Sequence, residues 1–131
     1  MPDGPLVVLD GAHNDMAAQA LAGAVAAVWA QEHVQRMFLV VGMLTGHEPE
    51  GVLAPFVPLA ERVYVCEPDW KRARPASEVA DLARKFSARI EVIPSVPAAV
   101  RAAIAAAGPE DMVLITGSFY TVGEVRLNDL A

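Results

Sequence analysis

The sequence predicts a three-layer α/β fold, with a mostly parallel sheet and helices on both of its faces. Short apolar segments alternate with longer helical segments along the chain, which is the pattern of right-handed βαβ crossovers. One of the short segments, residues 37–41, is apolar throughout, as is typical of a strand that is covered on both faces. We therefore expect a single Rossmann-like domain over residues 1–131.

Hydrophobic periodicity and turn residues place the individual elements. The strands are expected at residues 5–9, 37–41, 63–66, 90–93 and 112–116. The helices are expected at residues 14–32, 48–56, 75–86, 96–107 and 119–127. The first helix is alanine-rich, and Asn14 or Asp15 supplies its capping oxygen. Proline marks other boundaries, with Pro49 and Pro75 in first turns and Pro109 after the fourth helix.

The composition limits the classes of partner. At 54% hydrophobic residues the chain can bury a sizeable core, and its net charge of −6 argues against a nucleic-acid backbone or an anionic membrane as a general partner. The single cysteine, Cys66, permits no internal disulfide and favours a cytoplasmic location. We interpret it as a small apolar residue at the end of a buried strand. The longest apolar run, residues 21–30, is about half of what a bilayer requires.

Chemically useful residues follow three of the predicted strands. These are residues 10–14 (Asp-Gly-Ala-His-Asn), the polar loop after Cys66, and the pair Gly117-Ser118. The carboxyl ends of parallel strands meet at one edge of a sheet, where α/β proteins bind their ligands. The chain lacks the glycine fingerprint of a dinucleotide site and the phosphate loop of an ATPase. It also lacks the Gly-x-Ser-x-Gly motif around Ser118.

The residues after the first strand allow two interpretations. A carboxylate at a strand end suits a ribose diol, since Asp10 could accept two hydroxyl hydrogens. Alternatively, Asp10 caps its own turn and His13 is merely exposed. A metal site is not predicted, because Asp10 and His13 lack a third ligand. The other imidazoles, His33 and His47, are interpreted as surface residues.

The residues after the third and fifth strands are also ambiguous. Gly117-Ser118 ahead of a helix could bind a small anion through backbone N–H groups and a hydroxyl. The same pair is equally consistent with an ordinary glycine turn and a serine cap. Arg72 and Arg74 are by default solvated charges of a loop. Trp70 in that loop suggests either a partner contact or local packing.

Taken in order, five segments resemble the C-terminal domain of folylpolyglutamate synthase/dihydrofolate synthase, a Mur-ligase-related enzyme. They are Leu9-Asp10-Gly11-Ala12-His13-Asn14, Val41-Gly42-Met43-Leu44, Arg72-Ala73, Gly117-Ser118-Phe119-Tyr120 and Val122-Gly123-Glu124-Val125-Arg126. The resemblance covers nearly the whole chain. Any one segment alone would be weak, but the ordered set is specific.

The resemblance implies an ATP-dependent ligase that joins L-glutamate to a folate carboxylate through an acyl phosphate. In this family an N-terminal ATPase domain carries the phosphate loop, the magnesium sites and most of the folate site. That domain is absent from this chain, so the chain alone is expected to be inactive. The expected partners are ATP with Mg, L-glutamate, the folate substrate and the N-terminal domain.

The resemblance also implies roles for individual residues. Asp10 would bind the ribose of ATP, and Asn14 would face the nucleotide. His13 would be the catalytic residue of this domain and would also reach the incoming glutamate. The glutamate would further be held by Ser118 and Tyr120. Gly117 and Arg72 are weaker candidates for the same site.

Two departures from the family pattern matter. Asp15 follows Asn14 where the family usually has proline, which exchanges one favoured first-turn residue for another. After Gly-Met-Leu the family usually has an aspartate-lysine pair, whereas this chain has Thr45-Gly46-His47-Glu48. We assign no site role to that loop. Two alternatives remain at this point: a stand-alone binding module without catalysis, and a Mur-type ligase domain for another amino acid.

Overall fold

A computed structural model describes residues 4–130, in which five strands form one sheet in the order β1-β5-β2-β3-β4. The strands are β1 (Leu6–Leu9), β2 (Met37–Val41), β3 (Ala60–Val65), β4 (Ile90–Val92) and β5 (Met112–Thr116). The helices are α1 (Asp15–Gln31), α2 (Pro49–Phe56), α3 (Ala76–Ala83), α4 (Val96–Ala106) and α5 (Phe119–Gly123). All four strand pairings are parallel, so the predicted fold class is confirmed.

The two faces of the sheet carry separate apolar clusters. Along β2 the side chains alternate, so Leu39 packs with α1, α2 and α3 while Phe38 and Val40 pack with α4. Every residue of β2 and β5 is buried, which explains why both strands read as continuous apolar runs rather than as alternating ones. Three helices therefore cover one face, and α4 covers the other.

The long first helix forms as the periodicity predicts. Its residues Leu21 and Val25 are buried against the sheet, and Val28 and Trp29 pack at the margin of the same cluster. The helix ends with His33 at φ 54°, a left-handed conformation that glycine more often adopts at this position. No helix within residues 4–130 is long and apolar enough to cross a membrane.

Three predicted boundaries were wrong. The final helix ends at Gly123 rather than at residue 127, and a separate 3₁₀ turn, Leu127–Leu130, follows it. That turn is stabilised by Asp129, whose carboxylate accepts the Arg126 N–H and pairs with Arg101 at 2.9 Å. This local hydrogen bonding competes with continuation of the helix.

The other two errors concern β3 and α3. β3 begins at Ala60, because a 3₁₀ turn over Val57–Leu59 leads directly into the strand. α3 begins after Pro75 and ends at Ala83. Its first N–H, on Ala76, is capped by the carboxylate of Glu67 at 2.8 Å. Cys66 lies just beyond β3 and is fully buried, as predicted, and burial raises the pKa of its thiol to about 12.

At the edge opposite the predicted site, an ion pair joins the starts of β2 and β5. Arg36 Nη2 lies 2.9 Å from Asp111 Oδ2. Burial of Asp111 favours its neutral form, but the hydrogen bonds from Arg36 and from the Gly108 N–H outweigh burial and hold its pKa below the ordinary value. The ion pair thus ties the two central strands together at the amino edge of the sheet, away from the candidate site.

Candidate functional site

The loops after β1 and β5 are joined at the carboxyl edge of the sheet. β5 lies between β1 and β2, so its terminal loop runs between theirs. The Gly117 N–H donates to the Ala12 carbonyl at 3.1 Å, and the Gly42 N–H donates to the Thr116 carbonyl at 3.3 Å. The strand order, which sequence reasoning did not predict, brings the two principal candidate segments together.

Asp10 forms a tight turn and also presents an unused oxygen. Its Oδ1 accepts the Ala12 N–H at 2.9 Å, a local turn in which the side chain caps its own loop. Its Oδ2 has no hydrogen bond to any of residues 4–130, and the residue is exposed. The turn-capping interpretation made from the sequence is therefore confirmed for Oδ1, and ribose binding by Asp10 stays a prediction.

His13 is fixed in orientation. Its Nδ1–H donates to the Gly11 carbonyl at 3.0 Å, which assigns the proton of the neutral ring to Nδ1 and leaves Nε2 as an acceptor. The His47 ring lies on one side, with centroids 4.5 Å apart, and the Phe119 ring lies 5.7 Å away at a tilt of 60°. His13 is therefore held by its neighbours rather than simply exposed.

Asn14 caps the first helix. Its Oδ1 accepts the Ala17 N–H at 2.8 Å, and its extended backbone is the usual conformation of a capping residue. The next residue, Asp15, places a carboxylate in the first turn and accepts from Gln19 Nε2 at 3.0 Å. The replacement of the family proline by Asp15 leaves the helix start intact, as expected.

Ser118 is turned into the protein. The residue is only 1% exposed, and its hydroxyl accepts the Thr121 N–H at 3.0 Å. The Thr121 hydroxyl donates to the Gly42 carbonyl at 2.9 Å, so the Ser118 hydroxyl donates in turn to Thr121 Oγ1. The capping role is therefore established, and the glutamate contact of Ser118 stays a prediction.

Gly117 is required by the backbone. Its φ of 113° lies where L side chains are rarely found, and a Cβ at this position would come within 2.2 Å of the Gly42 carbonyl oxygen. The two glycines thus allow the loops after β5 and β2 to approach closely. Gly117 acts through this close approach and supplies no side chain to the site.

Tyr120 stacks on Trp70. Their ring centroids are 4.7 Å apart with nearly parallel planes, at 9°. Lys71 lies beside the same indole, with Nζ 5.8 Å from the ring centroid. Both aromatic residues are partly exposed. The sequence suggests either a partner contact or local packing for Trp70. The structure shows local packing, in which Trp70 contacts Tyr120 and so joins the loop after β3 to α5.

The loops after β2 and β3 pair with each other. Leu44 and Ala73 form an antiparallel bridge, and the Thr45 N–H donates to the Arg72 carbonyl at 2.8 Å. The Arg72 side chain is exposed. Arg74 instead turns inward, where its Nη2 donates to the His47 carbonyl at 2.8 Å. Arg74 is thus a structural residue rather than the solvated charge expected from the sequence.

The expectation that His47 is a surface residue was wrong. The ring is partly buried, and its Nδ1 has no hydrogen bond within the described residues. Burial lowers the pKa of His47, and repulsion from His13, Arg72 and Arg74 lowers it further. His33, by contrast, is exposed as expected. His47 and Phe119 are neighbours of His13 that sequence reasoning did not single out, because their position depends on how the loops fold.

An open cleft of about 610 Å³ lies beside this histidine pair. It runs between the start of α1 and the loop before α2, with Phe86 at its far side. Among residues 4–130, no group of three histidine, cysteine or acidic side chains is arranged to hold a metal ion.

Comparison with known proteins identifies the family. The family model described as Mur ligase, glutamate ligase domain matches residues 1–119. The chain belongs to this family. The resemblance stated from the motifs is thereby confirmed, and so is the interpretation of the fold as that of a Mur ligase C-terminal domain.

Two curated relatives of this glutamate ligase domain are haloarchaeal proteins. Probable bifunctional folylpolyglutamate synthase/dihydropteroate synthases match at 38% identity over 124 residues in Halobacterium salinarum and at 34% over 125 residues in Haloferax volcanii. Each match covers 93% of this chain and 14% of the relative. The chain thus spans about one seventh of the curated relatives it matches.

Solved structures show the same fold. Escherichia coli FolC, solved with DHPP and ADP, matches 88% of this chain and 26% of its own at 32% identity, with a TM-score of 0.78. The folylpolyglutamate synthase of Thermotoga maritima covers 96% of this chain and 28% of its own at 29% identity and a TM-score of 0.78. A bifunctional folylpolyglutamate synthase/dihydrofolate synthase solved with Mn, AMPPNP and L-glutamate matches at 30% identity and a TM-score of 0.77, covering 90% of this chain and 27% of its own.

Substitution of Gly117 tests the backbone role assigned to it. Gly117→Ala adds a Cβ that cannot fit beside the Gly42 carbonyl, and we expect the free energy of unfolding to fall by about 2–4 kcal/mol. Gly23→Ala is the matched control. A Cβ at Gly23 meets nothing within 4 Å in the exposed middle of α1. Because alanine favours helix more than glycine does, the free energy of unfolding of this variant should rise by about 1 kcal/mol. Urea denaturation of both variants measures the difference, and equal effects would contradict the assignment.

The lowered pKa of His47 predicts a pH dependence of stability. The pKa of His47 is lower in the folded chain than in the unfolded chain, so the unfolded chain takes up a proton first as the pH falls. The free energy of unfolding therefore decreases as the pH falls through the ordinary histidine range. We expect the unfolding free energy to rise from pH 5 to pH 7, and His47→Gln to flatten that rise. His33→Asn, which removes an exposed imidazole, serves as the control. Equal slopes for wild type and His47→Gln would contradict the prediction.

Proposed function

We propose that this chain is the glutamate- and ATP-contacting C-terminal domain of a folylpolyglutamate/dihydrofolate synthase. In this role it serves an ATP-dependent ligase that adds L-glutamate to a folate. The observation that carries the proposal is the hydrogen bond from the Gly117 N–H to the Ala12 carbonyl. It joins the loop predicted for ATP to the loop predicted for glutamate, so both ligands would meet at one edge of the sheet.

Asp10 fits the ribose of ATP. Its Oδ1 is used by the turn, and its exposed Oδ2 remains able to accept a hydroxyl hydrogen. ATP, when bound, supplies the phosphoryl group that activates the substrate carboxylate. Asn14 lies next in line at the start of α1, but its Oδ1 is committed to Ala17. Asn14 would therefore contact the nucleotide through its amide NH₂.

His13 is the residue best placed to act at the reacting centre. With Nδ1–H bound to the Gly11 carbonyl, Nε2 carries the lone pair of the neutral ring. That nitrogen can accept a hydrogen bond from the ammonium or amine of an incoming glutamate. It can also take up a proton released as the new amide forms. This is the catalytic role proposed for His13.

The glutamate would lie nearer α5. Ser118 begins this helix, and Tyr120 is the partly exposed ring two residues later. Binding through the Ser118 hydroxyl would require it to exchange its bond to Thr121 for one to the ligand. Tyr120 needs no such change, because its stacking on Trp70 uses only one ring face. Arg72, exposed in the neighbouring loop, offers a cation to the glutamate carboxylates.

Magnesium and the phosphates would be held mainly by the N-terminal ATPase domain. The described residues provide no cluster of three metal-ligating side chains, and phosphoryl transfer depends on cations positioned around the γ-phosphate. The relatives support a longer enzyme, because this chain spans 14% of the Halobacterium salinarum protein and 26% of Escherichia coli FolC. Related structures were solved with ADP and with Mn and AMPPNP.

Reconstitution tests the proposal directly. The chain mixed with its N-terminal ATPase domain, or expressed in one polypeptide with it, should incorporate glutamate in an ATP- and folate-dependent reaction. The chain alone should not. A well-folded mixture without activity would contradict the ligase proposal and favour a binding module that has kept the fold.

Asp10→Asn tests the role of the second carboxylate oxygen while the first is kept. The amide retains the oxygen that accepts the Ala12 N–H but loses the charge and the second acceptor. We expect ATP affinity in the reconstituted enzyme to fall about 10- to 100-fold, the loss of a charge-assisted hydrogen bond. The KM for glutamate should change far less. Asp15→Asn removes an exposed neighbouring carboxylate and is the control, and an equal loss of ATP affinity in both variants would contradict the role of Asp10.

Ser118→Ala tests the glutamate contact. The variant loses a helix cap, which costs about 1 kcal/mol of stability, and the proposed ligand contact. Ser95→Ala is the control for the loss of a cap alone, since the exposed Ser95 caps α4 through the Ala98 N–H. Ser118→Ala should lose more stability than Ser95→Ala, because it also removes the buried bond to Thr121 Oγ1, and only Ser118→Ala should raise the KM for glutamate. An unchanged KM would remove Ser118 from the glutamate site.

A further inference from the structure

The His13 imidazole is enclosed by rings from two other loops. The His47 ring lies against it with centroids 4.5 Å apart and planes inclined at 33°, and the Phe119 ring lies 5.7 Å away at a tilt of 60°. Ring pairs of this kind are attractive beyond the area they bury. Phe119 is 71% exposed, and its ring lies against Gly11. His47 is the more buried and the more firmly anchored of the two neighbours.

We propose that His47 is a positioning residue for His13. Its ring holds the His13 imidazole in the orientation in which Nδ1 donates to the Gly11 carbonyl, and so it reserves Nε2 for the ligand. The proposal rests on the function proposed above for His13. It assigns a role to a loop that departs from the family pattern and for which the sequence analysis predicts no function.

His47 can act in this way because the neighbouring loop fixes it. Arg74 Nη2 donates to the His47 carbonyl at 2.8 Å, and the Arg74 N–H donates to the Met43 carbonyl at the same distance. The bridge between Leu44 and Ala73 completes this contact. Arg74 thus holds the loop that carries His47 at both ends. Through the ring contact, the fixed position of His47 restricts the orientation of His13.

Burial and the neighbouring cations favour a neutral His47 ring. Burial lowers its pKa most, and repulsion from Arg72 and Arg74 in the loop after β3 and from His13 in the loop after β1 lowers it further. The cleft that His47 lines also carries Asp15, Glu48 and Glu50. A neutral imidazole can lie against His13 without repelling it when His13 takes up a proton.

The first test uses the chain itself and requires no enzyme activity. Two-bond ¹H–¹⁵N spectra of the ¹⁵N-labelled chain report which His13 nitrogen carries the proton. We expect the Nδ1–H tautomer in the wild type, a mixture of tautomers in His47→Gln, and recovery of the wild-type pattern in His47→Phe, which restores a flat ring. His33→Asn should change nothing. An unchanged His13 tautomer in a folded His47→Gln variant would overturn the proposal.

A second pair of variants keeps the test valid if His47→Gln does not fold. His47→Leu fills the space of the ring without its flat face, and His47→Phe fills it with a ring. If the two variants give the same His13 tautomer, His47 acts only by filling space and the proposal is wrong. If only His47→Phe preserves the wild-type tautomer, the ring contact is what positions His13.

The reconstituted ligase provides the second readout. His47→Gln should raise the KM for glutamate by about three- to tenfold, the loss of one ring contact, with a smaller change in kcat. His47→Phe should give a KM for glutamate close to that of the wild type. His13→Ala separates the two proposals: if it leaves activity unchanged, the function proposed for His13 fails, whereas the tautomer measurements still decide whether His47 positions His13. A normal KM in His47→Gln together with an inactive His13→Ala would overturn the positioning role alone.

Discussion

The close approach of Gly117 to Gly42 is the contact on which the carboxyl edge of this domain depends. β5 lies between β1 and β2, so its terminal loop must pass between two others that each carry functional groups. A side chain at Gly117 would collide with the Gly42 carbonyl. Because both positions are glycine, the Gly117 N–H reaches the Ala12 carbonyl and the Thr121 hydroxyl reaches the Gly42 carbonyl. The first bond joins the loops after β1 and β5, and the second joins α5 to the loop after β2.

The groups at this edge fall into two classes according to what already binds them. The Asn14 and Ser118 oxygens cap helices and are committed to the fold. Asp10 Oδ2 and His13 Nε2 have no such commitment within residues 4–130. Ligand recognition should therefore be concentrated in the second class. Substitutions of the capping residues would change stability and binding together. A variant that removes a helix cap elsewhere in the chain is therefore needed to separate the two effects.

The fold could be predicted, and the candidate segments could be placed at one edge of the sheet, because both depend on local patterns. Buried parallel strands read as continuous apolar runs, and polar residues after such strands must share one edge. What could not be predicted depends on contacts distant in sequence. His47 lies 34 positions from His13, and only the pairing of its loop with the segment around Ala73 turns it inward. Similarly, Asp129 ends the last helix early through a hydrogen bond that no periodicity reveals.

The loop that departs most from the family motif is also the one that touches His13 most closely, and this follows from the geometry. The loop after β2 has to reach past the end of β5 to contact the loop after β1, and it needs support to do so. Arg74 supplies that support through two backbone carbonyls, neither of which depends on the side chains of the loop. The side chains can therefore change while the path of the loop is kept. A histidine on such a path can contact His13 through its ring without altering the fold, so a new positioning residue can arise here at little cost in stability.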